Sequence, residues 1–257
     1  FPQTKLLLPF DGTNGATSTS DLSPKNYSST FNGGNISIST AQSKFGGSSL
    51  FRNTTGVTSD SLSFGAYSDW LLNQNTEYTI EFWFRALNTS NSFLIGCGEY
   101  NSSIQWMIFA AGDGAVNFRS GTAGWGWGSV SISGGTLTVD TWKHIAVVRG
   151  SGTVTIYVDG IDVANASTGN WGNSTVKTMR IGSYFGSAIG DGYFYMDDLR
   201  ITRGVARYTS NFTPPTTTLL TSAGDVNKQI LINSTADGVA IGTGGINQAR
   251  IAKAWVN

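Results

Sequence analysis

The feature that most restricts the fold of this chain is an alternation of apolar and polar residues with a period of two. The segment YTIEFWFRA has apolar side chains at every second position, at Tyr78, Ile80, Phe82 and Phe84. GTVTIYVDG repeats the alternation and ends in Asp159-Gly160, a dipeptide that favours a tight hairpin turn. WKHIAVVR is apolar on both faces, which is typical of a central strand covered on both sides. Many short strands separated by Gly, Asn and Ser turns predict an all-β fold of two packed antiparallel sheets.

Composition excludes several classes of partner. Charged residues make up 12% of the chain and the formal net charge is zero, so nothing in the charge balance favours nucleic acid. No apolar run approaches the roughly 20 residues of a membrane helix, so we expect no membrane insertion. Cys97 is the only cysteine, which rules out an intrachain disulfide and predicts a buried, inert thiol.

A boundary is predicted at TPPTTT, Thr213 to Thr218, because two prolines cannot join a β-ladder. We therefore predict a sandwich over residues 1–216 and a short β-rich C-terminal appendage over residues 217–257. About 40 residues cannot bury a core alone. The appendage is expected to associate with sister chains, most simply as a homotrimer, or to continue into a further domain.

Four segments carry a family resemblance: YTIEFWFRA, WKHIAVVRGSGTVTIYVDGIDVA, MRIGSYF and GDGYFYMDDLRITRGVARYT. Together they resemble the laminin-G-like branch of the concanavalin A-like lectin/glucanase superfamily, over roughly Leu6 to Pro215. The ending DDLRITRGVARYTSNFTPP is similar to domains of bacteriophage tail and other virion proteins. The resemblance implies a two-sheet antiparallel jelly-roll sandwich that binds glycans or proteins, often with one Ca2+ ion.

Enzymatic activity is not expected, although glucanases share this architecture. Retaining glycosidases need two carboxylates about 5 Å apart on one face. The chain has no Glu-x-Asp-x-x-Glu run, and none of its three glutamates, Glu77, Glu81 and Glu99, has an acid two positions away. The only histidine, His144, lies in a central strand, where a structural imidazole is expected.

Ionisable groups concentrate in FYMDDLRITRGVARYTSNFTPPT. Strict alternation would place Asp197 on the inward face with Leu199 and Ile201, where a carboxylate is costly unless it is paired or bound to metal. One interpretation is fold closure, in which Asp197 pairs with Arg207 or with backbone of the RITRG turn. The other is a calcium site. Its candidate further ligands are Asp11 and Asp21, since the first and last strands of such sandwiches commonly run side by side.

Three tryptophans are candidate ligand contacts. Trp125 and Trp127 lie between glycines in SGTAGWGWGSVS, and Trp171 lies between asparagines in STGNWGNST. Exposed tryptophans often mark binding sites, and sugar rings present apolar faces that stack on aromatic rings. The alternative is that these side chains cover the sandwich edge or pack against a sister chain. Trp83 points outward from its strand, where packing is expected.

These observations predict a non-enzymatic, lectin-like carbohydrate-binding module of a phage virion protein. It would lie on the virion surface, in a tail fibre or as capsid decoration, and contact glycans of the host cell. The alternative is a structural module that assembles with other virion proteins and has no glycan ligand. A glycan hydrolase is the third and least supported interpretation.

Overall fold

The structure is a computed structural model that describes residues 3–54, 58–73, 75–99, 103–121, 130–168, 175–183 and 192–219. These residues contain fifteen β-strands and one helical segment, a 3-10 turn at Ser68–Trp70. In chain order the strands are β1 (Thr4–Leu8), β2 (Ser29–Asn32), β3 (Ile36–Ser39), β4 (Ser49–Arg52), β5 (Ser61–Ala66), β6 (Tyr78–Ala86), β7 (Ser92–Glu99), β8 (Ser103–Ala110), β9 (Val116–Ser120), β10 (Val130–Gly134), β11 (Lys143–Gly150), β12 (Thr153–Val158), β13 (Ile161–Ser167), β14 (Thr178–Ile181) and β15 (Phe194–Arg203). No helix in this part of the chain has the length and apolar character that a membrane crossing needs.

The strands form two antiparallel sheets, which confirms the predicted sandwich. Sheet A has the order β13-β12-β11-β6-β15-β4-β3, and β1 also pairs with β15. Sheet B has the order β10-β9-β8-β7-β14-β5-β2. The pairing of the first strand with the last, with Leu8 opposite Leu199, was expected from the sequence and is confirmed.

The core lies between the two sheets and contains the apolar face predicted for β6. Tyr78, Ile80, Phe82 and Phe84 are all buried in it. Each large apolar side chain removed from water contributes about 1.5–3 kcal/mol, so this one strand provides a substantial part of the driving force for folding. Indole donors in the core also find acceptors, as in the hydrogen bond of 2.9 Å from Trp106 Nε1 to the carbonyl oxygen of Trp70.

The outer face of sheet A is covered by residues 205–214, which we call the C-terminal strap. Ala206, Tyr208 and Phe212 of the strap pack on a cluster of β11 and β12 side chains, which consists of Ala146, Val148 and Tyr157. This cover explains why β11 is apolar on both faces, and it confirms the prediction of a strand buried on both sides.

The strap also explains the glycine in the turn between β12 and β13. Gly160 has φ +78°, in the left-handed region, and its N-terminal neighbour Asp159 has φ +50°. A Cβ atom on Gly160 would lie 1.8 Å from the carbonyl oxygen of Phe212. Asp159-Gly160 therefore forms the predicted tight turn, and the glycine lets the strap approach it.

The described residues fall in one compact unit, Pro2–Leu219. Residues 220–257 belong to a second unit and lie outside the described residues. The β-rich structure predicted for the appendage therefore stays a prediction.

Candidate functional site

A bulge in β15 changes the direction of the side chains around the acidic pair. Asp197 is opposite Trp83 and Arg200 is opposite Glu81, so β15 has one more residue than β6 between these pairs. Asp198 takes the bulge conformation, with φ +51°. The predicted inward placement of Asp197 with Leu199 is wrong, because strict alternation was extended through this bulge. Asp197 is on the outer face of sheet A, beside Trp83.

The turn after β3 folds over this outer face. The carboxylate of Asp197 accepts hydrogen bonds from the backbone N–H groups of Lys44, at 2.7 Å, and Phe45, at 3.0 Å. The Lys44 ammonium lies 3.8 Å from the centre of the Trp83 ring. Trp83 is only 6% exposed as a result, so it packs, as expected, and does not line an open surface.

Each carboxyl of the acidic pair keeps one oxygen without a donor. Asp198 Oδ2 accepts a hydrogen bond of 2.6 Å from the backbone N–H of Leu219. Among the described residues, no donor reaches Oδ1 of Asp197 or Oδ1 of Asp198, although both side chains are buried. Burial raises the pKa of both carboxyls to about 7. Buried oxygens of this kind are costly unless they gain a proton or a cation.

Of the two predicted N-terminal ligands, Asp11 lies near the acidic pair. Burial is the main cause of the raised pKa of Asp198, and the negative charge of Asp11 raises this pKa further. Asp11 is exposed, and its Oδ1 would be 1.8 Å from a Cβ atom on Gly46, so the glycine makes room for the carboxylate. Among the described residues, no group of three or more His, Cys, Asp or Glu side chains is arranged to hold a metal.

Asp21, the other predicted ligand, organises a turn. Its Oδ1 accepts from the backbone N–H groups of Leu7 and Ser23, at 3.0 and 2.9 Å. Its Oδ2 accepts from the Ser23 hydroxyl and from the backbone N–H of Tyr27, both at 2.8 Å. Four hydrogen bonds from the chain itself give this buried carboxylate a structural role, whether or not it also binds a cation.

The other ionisable groups of this region form a closed cluster under the strap. Both Nε and an Nη of Arg200 contact Glu81 Oε1, at 2.8 and 2.7 Å, and the Tyr208 hydroxyl donates to Oε2 at 2.6 Å. Burial alone would raise the pKa of Glu81, but Arg200 and then the His144 and Tyr208 side chains lower it to about 2. Arg207 Nε donates to the Thr202 hydroxyl at 2.8 Å and lies 4.0 Å from Glu81 Oε1, while the donors to Asp197 come from the backbone of Lys44 and Phe45 rather than from the RITRG turn.

His144 and Cys97 are buried, as predicted. The imidazole packs edge-on to Trp83 and Phe212, with ring centres 5.2 and 5.7 Å away. Its Nε2 is 3.6 Å from Glu81 Oε2, too long for a hydrogen bond. Burial raises the pKa of the Cys97 thiol, which is consistent with an inert side chain.

One flank of each tryptophan segment is hydrogen-bonded to the same residue, Gln105. Trp125, Trp127 and Trp171 themselves lie outside the described residues. The backbone N–H of Gly121, before the first segment, donates to the Gln105 carbonyl oxygen at 3.1 Å. The Gln105 side-chain amide donates to the carbonyl oxygen of Thr175, after the second segment.

This junction was not apparent from the sequence. Trp106 of β8 pairs with Ser120 of β9, and the Cys97 thiol of β7 contacts Gln105 Oε1 at 3.2 Å. The neighbouring strands thus hold Gln105 at one end of sheet B. Gly121 and Thr175, one described flank of each tryptophan segment, are joined there, although they are far apart in the chain.

The chain belongs to the concanavalin A-like lectin/glucanases superfamily. Its laminin G family model matches residues 51–207, more than half of the chain. This confirms the laminin-G-like resemblance noted in the sequence. No curated protein matches the chain in sequence.

Solved structures with the same fold include toxin binding domains and a sialidase. The binding domain of Paraclostridial Mosquitocidal Protein 1 is similar with a TM-score of 0.59 at 14% identity, covering 80% of this chain and 50% of that one. The binding domain of botulinum neurotoxin DC in complex with SialylT has a TM-score of 0.54 at 16% identity, covering 90% and 51%. Trypanosoma rangeli sialidase has a TM-score of 0.54 at 13% identity, covering 79% and 30%. The chain thus spans about half or less of each protein, and at these identities the likeness shows the fold alone.

Proposed function

We propose that this chain is a non-enzymatic, lectin-like module that binds glycans through its tryptophan segments. The observation that carries the proposal is the junction at Gln105, which brings the flanks of both segments to one end of sheet B. The three tryptophans of these segments would supply aromatic surface for the apolar faces of sugar rings. The near absence of net charge suits a neutral, hydroxyl-rich ligand.

The structural relatives support this proposal at the level of the fold. Two of them are binding domains of toxins, and the one from botulinum neurotoxin DC is in complex with SialylT. This chain spans about half of each of these domains, so the likeness supports a binding role for the fold and does not identify contact residues.

The absence of catalysis is part of the proposal and is supported by the state of one buried acid, Glu81. Glu81 is buried, it is fully occupied by Arg200 and Tyr208, and its pKa is about 2, so it has no proton to donate at neutral pH. Asp197 and Asp198 have the raised pKa of a general acid, but the turn at Lys44 and Phe45 separates Asp197 from any open surface.

A glycan array tests the binding proposal. The full chain should bind a defined set of glycans, and Trp125→Ala, Trp127→Ala or Trp171→Ala should each weaken binding by about 1–3 kcal/mol. Trp142→Ala is the matched control, because Trp142 directly precedes β11 at the opposite end of the sandwich. Lower melting temperatures with unchanged glycan affinity would show that the three tryptophans are covers and not contacts.

We also propose a calcium ion at the acidic pair. The two donor-free oxygens, Asp197 Oδ1 and Asp198 Oδ1, supply the hard anionic ligands that Ca2+ prefers, and Asp11 is a further acid whose charge acts on Asp198. Backbone carbonyl and water oxygens would have to complete the coordination. A bound cation would neutralise the pair and fix β15 to the turn at Gly46.

The position on a virion and the homotrimer are proposals about residues 220–257. This segment forms a unit of its own by contacts, and QILINS, VAIG and IAKAWV are apolar enough to need cover. Light scattering should give a trimer for the intact chain and a folded monomer after deletion of residues 220–257. A monomeric intact chain, or a trimeric deletion variant, would contradict this division of roles.

A further inference from the structure

A small cleft opens at the end of the sandwich opposite to Gln105. It lies between the turn from β6 to β7, the turn from β8 to β9, and Leu137, and it encloses about 80 Å³ of water-accessible volume. Gln105 is near the start of β8, whereas Ala110, which lines the cleft, is its last residue. At about 3.4 Å per residue, the two are roughly 17 Å apart along the strand.

The floor of the cleft is apolar and belongs to the core. Ala86, Ala110 and Leu137 are members of the core cluster, yet they keep 9%, 5% and 8% of their surface exposed. All three residues also line the cleft. A ligand group that rests on this floor has to present an apolar end, because a hydroxyl placed there would lose its hydrogen bonds to water.

The rim is polar and carries one charge. Asn88, Thr89, Ser90 and Asp113 contribute to it, and Asp113 is the only charged residue among those that line the cleft, all of which are described. Asp113 Oδ1 accepts a hydrogen bond of 2.9 Å from the backbone N–H of Ala115. No described residue donates to its Oδ2. The rim therefore favours a ligand group that donates a hydrogen bond and disfavours a sugar carboxylate or sulfate.

Hydrogen bonds within the chain join the three walls of the cleft, which are the β6–β7 turn, the β8–β9 turn and Leu137. The backbone N–H of Gly112 donates to Asn91 Oδ1 at 2.9 Å, which links the two turns. The backbone N–H of Leu137 donates to the carbonyl oxygen of Gly114 at 2.8 Å, which links the third wall. A preformed cleft loses little conformational freedom on binding.

We propose that this cleft binds the acetamido group of an N-acetylated amino sugar. One water needs about 10–15 Å³ by the same measure, so the cleft accommodates about five to eight water-sized groups, which fits a substituent and not a whole sugar. The acetyl methyl group rests on Ala86, Ala110 and Leu137, and the amide N–H donates to Asp113 Oδ2. The inference rests on the glycan-binding function proposed above and adds a second, chemically selective contact to it.

Saturation-transfer NMR on the full chain tests the inference, with methyl N-acetyl-β-glucosaminide as the ligand and methyl β-glucoside as the comparison. The acetyl methyl protons should receive the strongest saturation, and the glucoside should receive little. Ala111→Leu, which fills the cleft from its wall, should abolish the acetyl signal. Asp113→Asn keeps an acceptor for Ala115 and should weaken binding roughly tenfold, because it removes a charged hydrogen-bond acceptor.

The matched control is Asp140→Asn, an exposed aspartate at the same end that does not line the cleft, and it should change nothing. An acetyl signal that disappears in Trp125→Ala but persists in Ala111→Leu would overturn the cleft assignment and leave glycan binding by the tryptophans standing. Equal saturation of both glycosides, or none of either, would also overturn the cleft assignment.

Discussion

Two clusters of buried acids lie on the outer face of sheet A, and they differ in how their oxygens are occupied. Both oxygens of Glu81 have close donors, from Arg200 and Tyr208, and the pKa of Glu81 is about 2. Asp197 and Asp198 each keep one oxygen without a donor among the described residues, and their pKa is about 7. Both oxygens of Glu81 are satisfied by side chains of this chain, whereas Asp197 and Asp198 each retain one buried oxygen without a donor among the described residues. The Glu81 cluster therefore has a structural role, whereas the Asp197–Asp198 pair is suited to bind a cation.

The largest effect on the free energy of unfolding is expected from the substitution Glu81→Ala. The substitution leaves Arg200 buried without its carboxylate and removes the acceptor that holds the strap through Tyr208. Loss of one partner of a buried pair costs about 3–5 kcal/mol in the free energy of unfolding, measurable by urea denaturation. Glu77→Ala, at an exposed glutamate, is the control and should stay within about 0.5 kcal/mol. Similar losses in both variants would show that the Glu81 cluster is not a structural centre.

An intermediate effect is expected from calcium. An ion that binds only the folded chain stabilises it by about 2.7 kcal/mol at one hundred times its Kd. Addition of Ca2+ should therefore raise the melting temperature and a chelator should reverse the rise. Asp197→Asn should remove the response, whereas Asp21→Asn tests whether the second predicted ligand takes part. An unchanged melting curve, with no metal found by elemental analysis, would refute the calcium site.

The smallest effect on the free energy of unfolding is expected from a change of pH in the presence of chelator. The pKa of the Asp197 and Asp198 carboxyls is raised in the folded state, so their protonation stabilises the fold at low pH. This stability is lost as pH rises through about 7, by about 1 kcal/mol per carboxyl between pH 6 and 8. The lowered pKa of Glu81 has the opposite consequence, since stability from Glu81 is lost only as pH falls towards 2.

The free energy of unfolding should therefore decrease from pH 6 to pH 8 in the wild-type chain. The decrease should largely disappear in the double variant Asp197→Asn, Asp198→Asn. A wild-type slope that persists in the double variant would assign the titration to other groups.

The sequence was sufficient for the architecture because alternation and turn chemistry act locally. The inward face of β6, the Asp159-Gly160 turn and the two-sided burial of β11 all follow from short segments. The candidate sites depend on features that alternation does not encode. The bulge at Asp198 reverses the expected face of Asp197. The partners of Asp197 come from the turn at Lys44 and Phe45, about 150 positions earlier in the chain.

The junction at Gln105 likewise could not be predicted from the sequence. Its hydrogen bonds to Gly121 and Thr175 use backbone groups, so no residue type marks them in the sequence. The three tryptophans were identified by their flanking glycines and asparagines, but the bonds from Gln105 to Gly121 and Thr175 depend on the order of strands in sheet B.

The central claim is that the chain binds glycans and leaves them intact. The most direct measurement incubates the full chain with its strongest array ligand and follows, in one sample, the bound fraction and the mass of the glycan. We predict saturable binding and a glycan of unchanged mass after prolonged incubation. Cleavage products, or a bound fraction that does not saturate, would contradict the account.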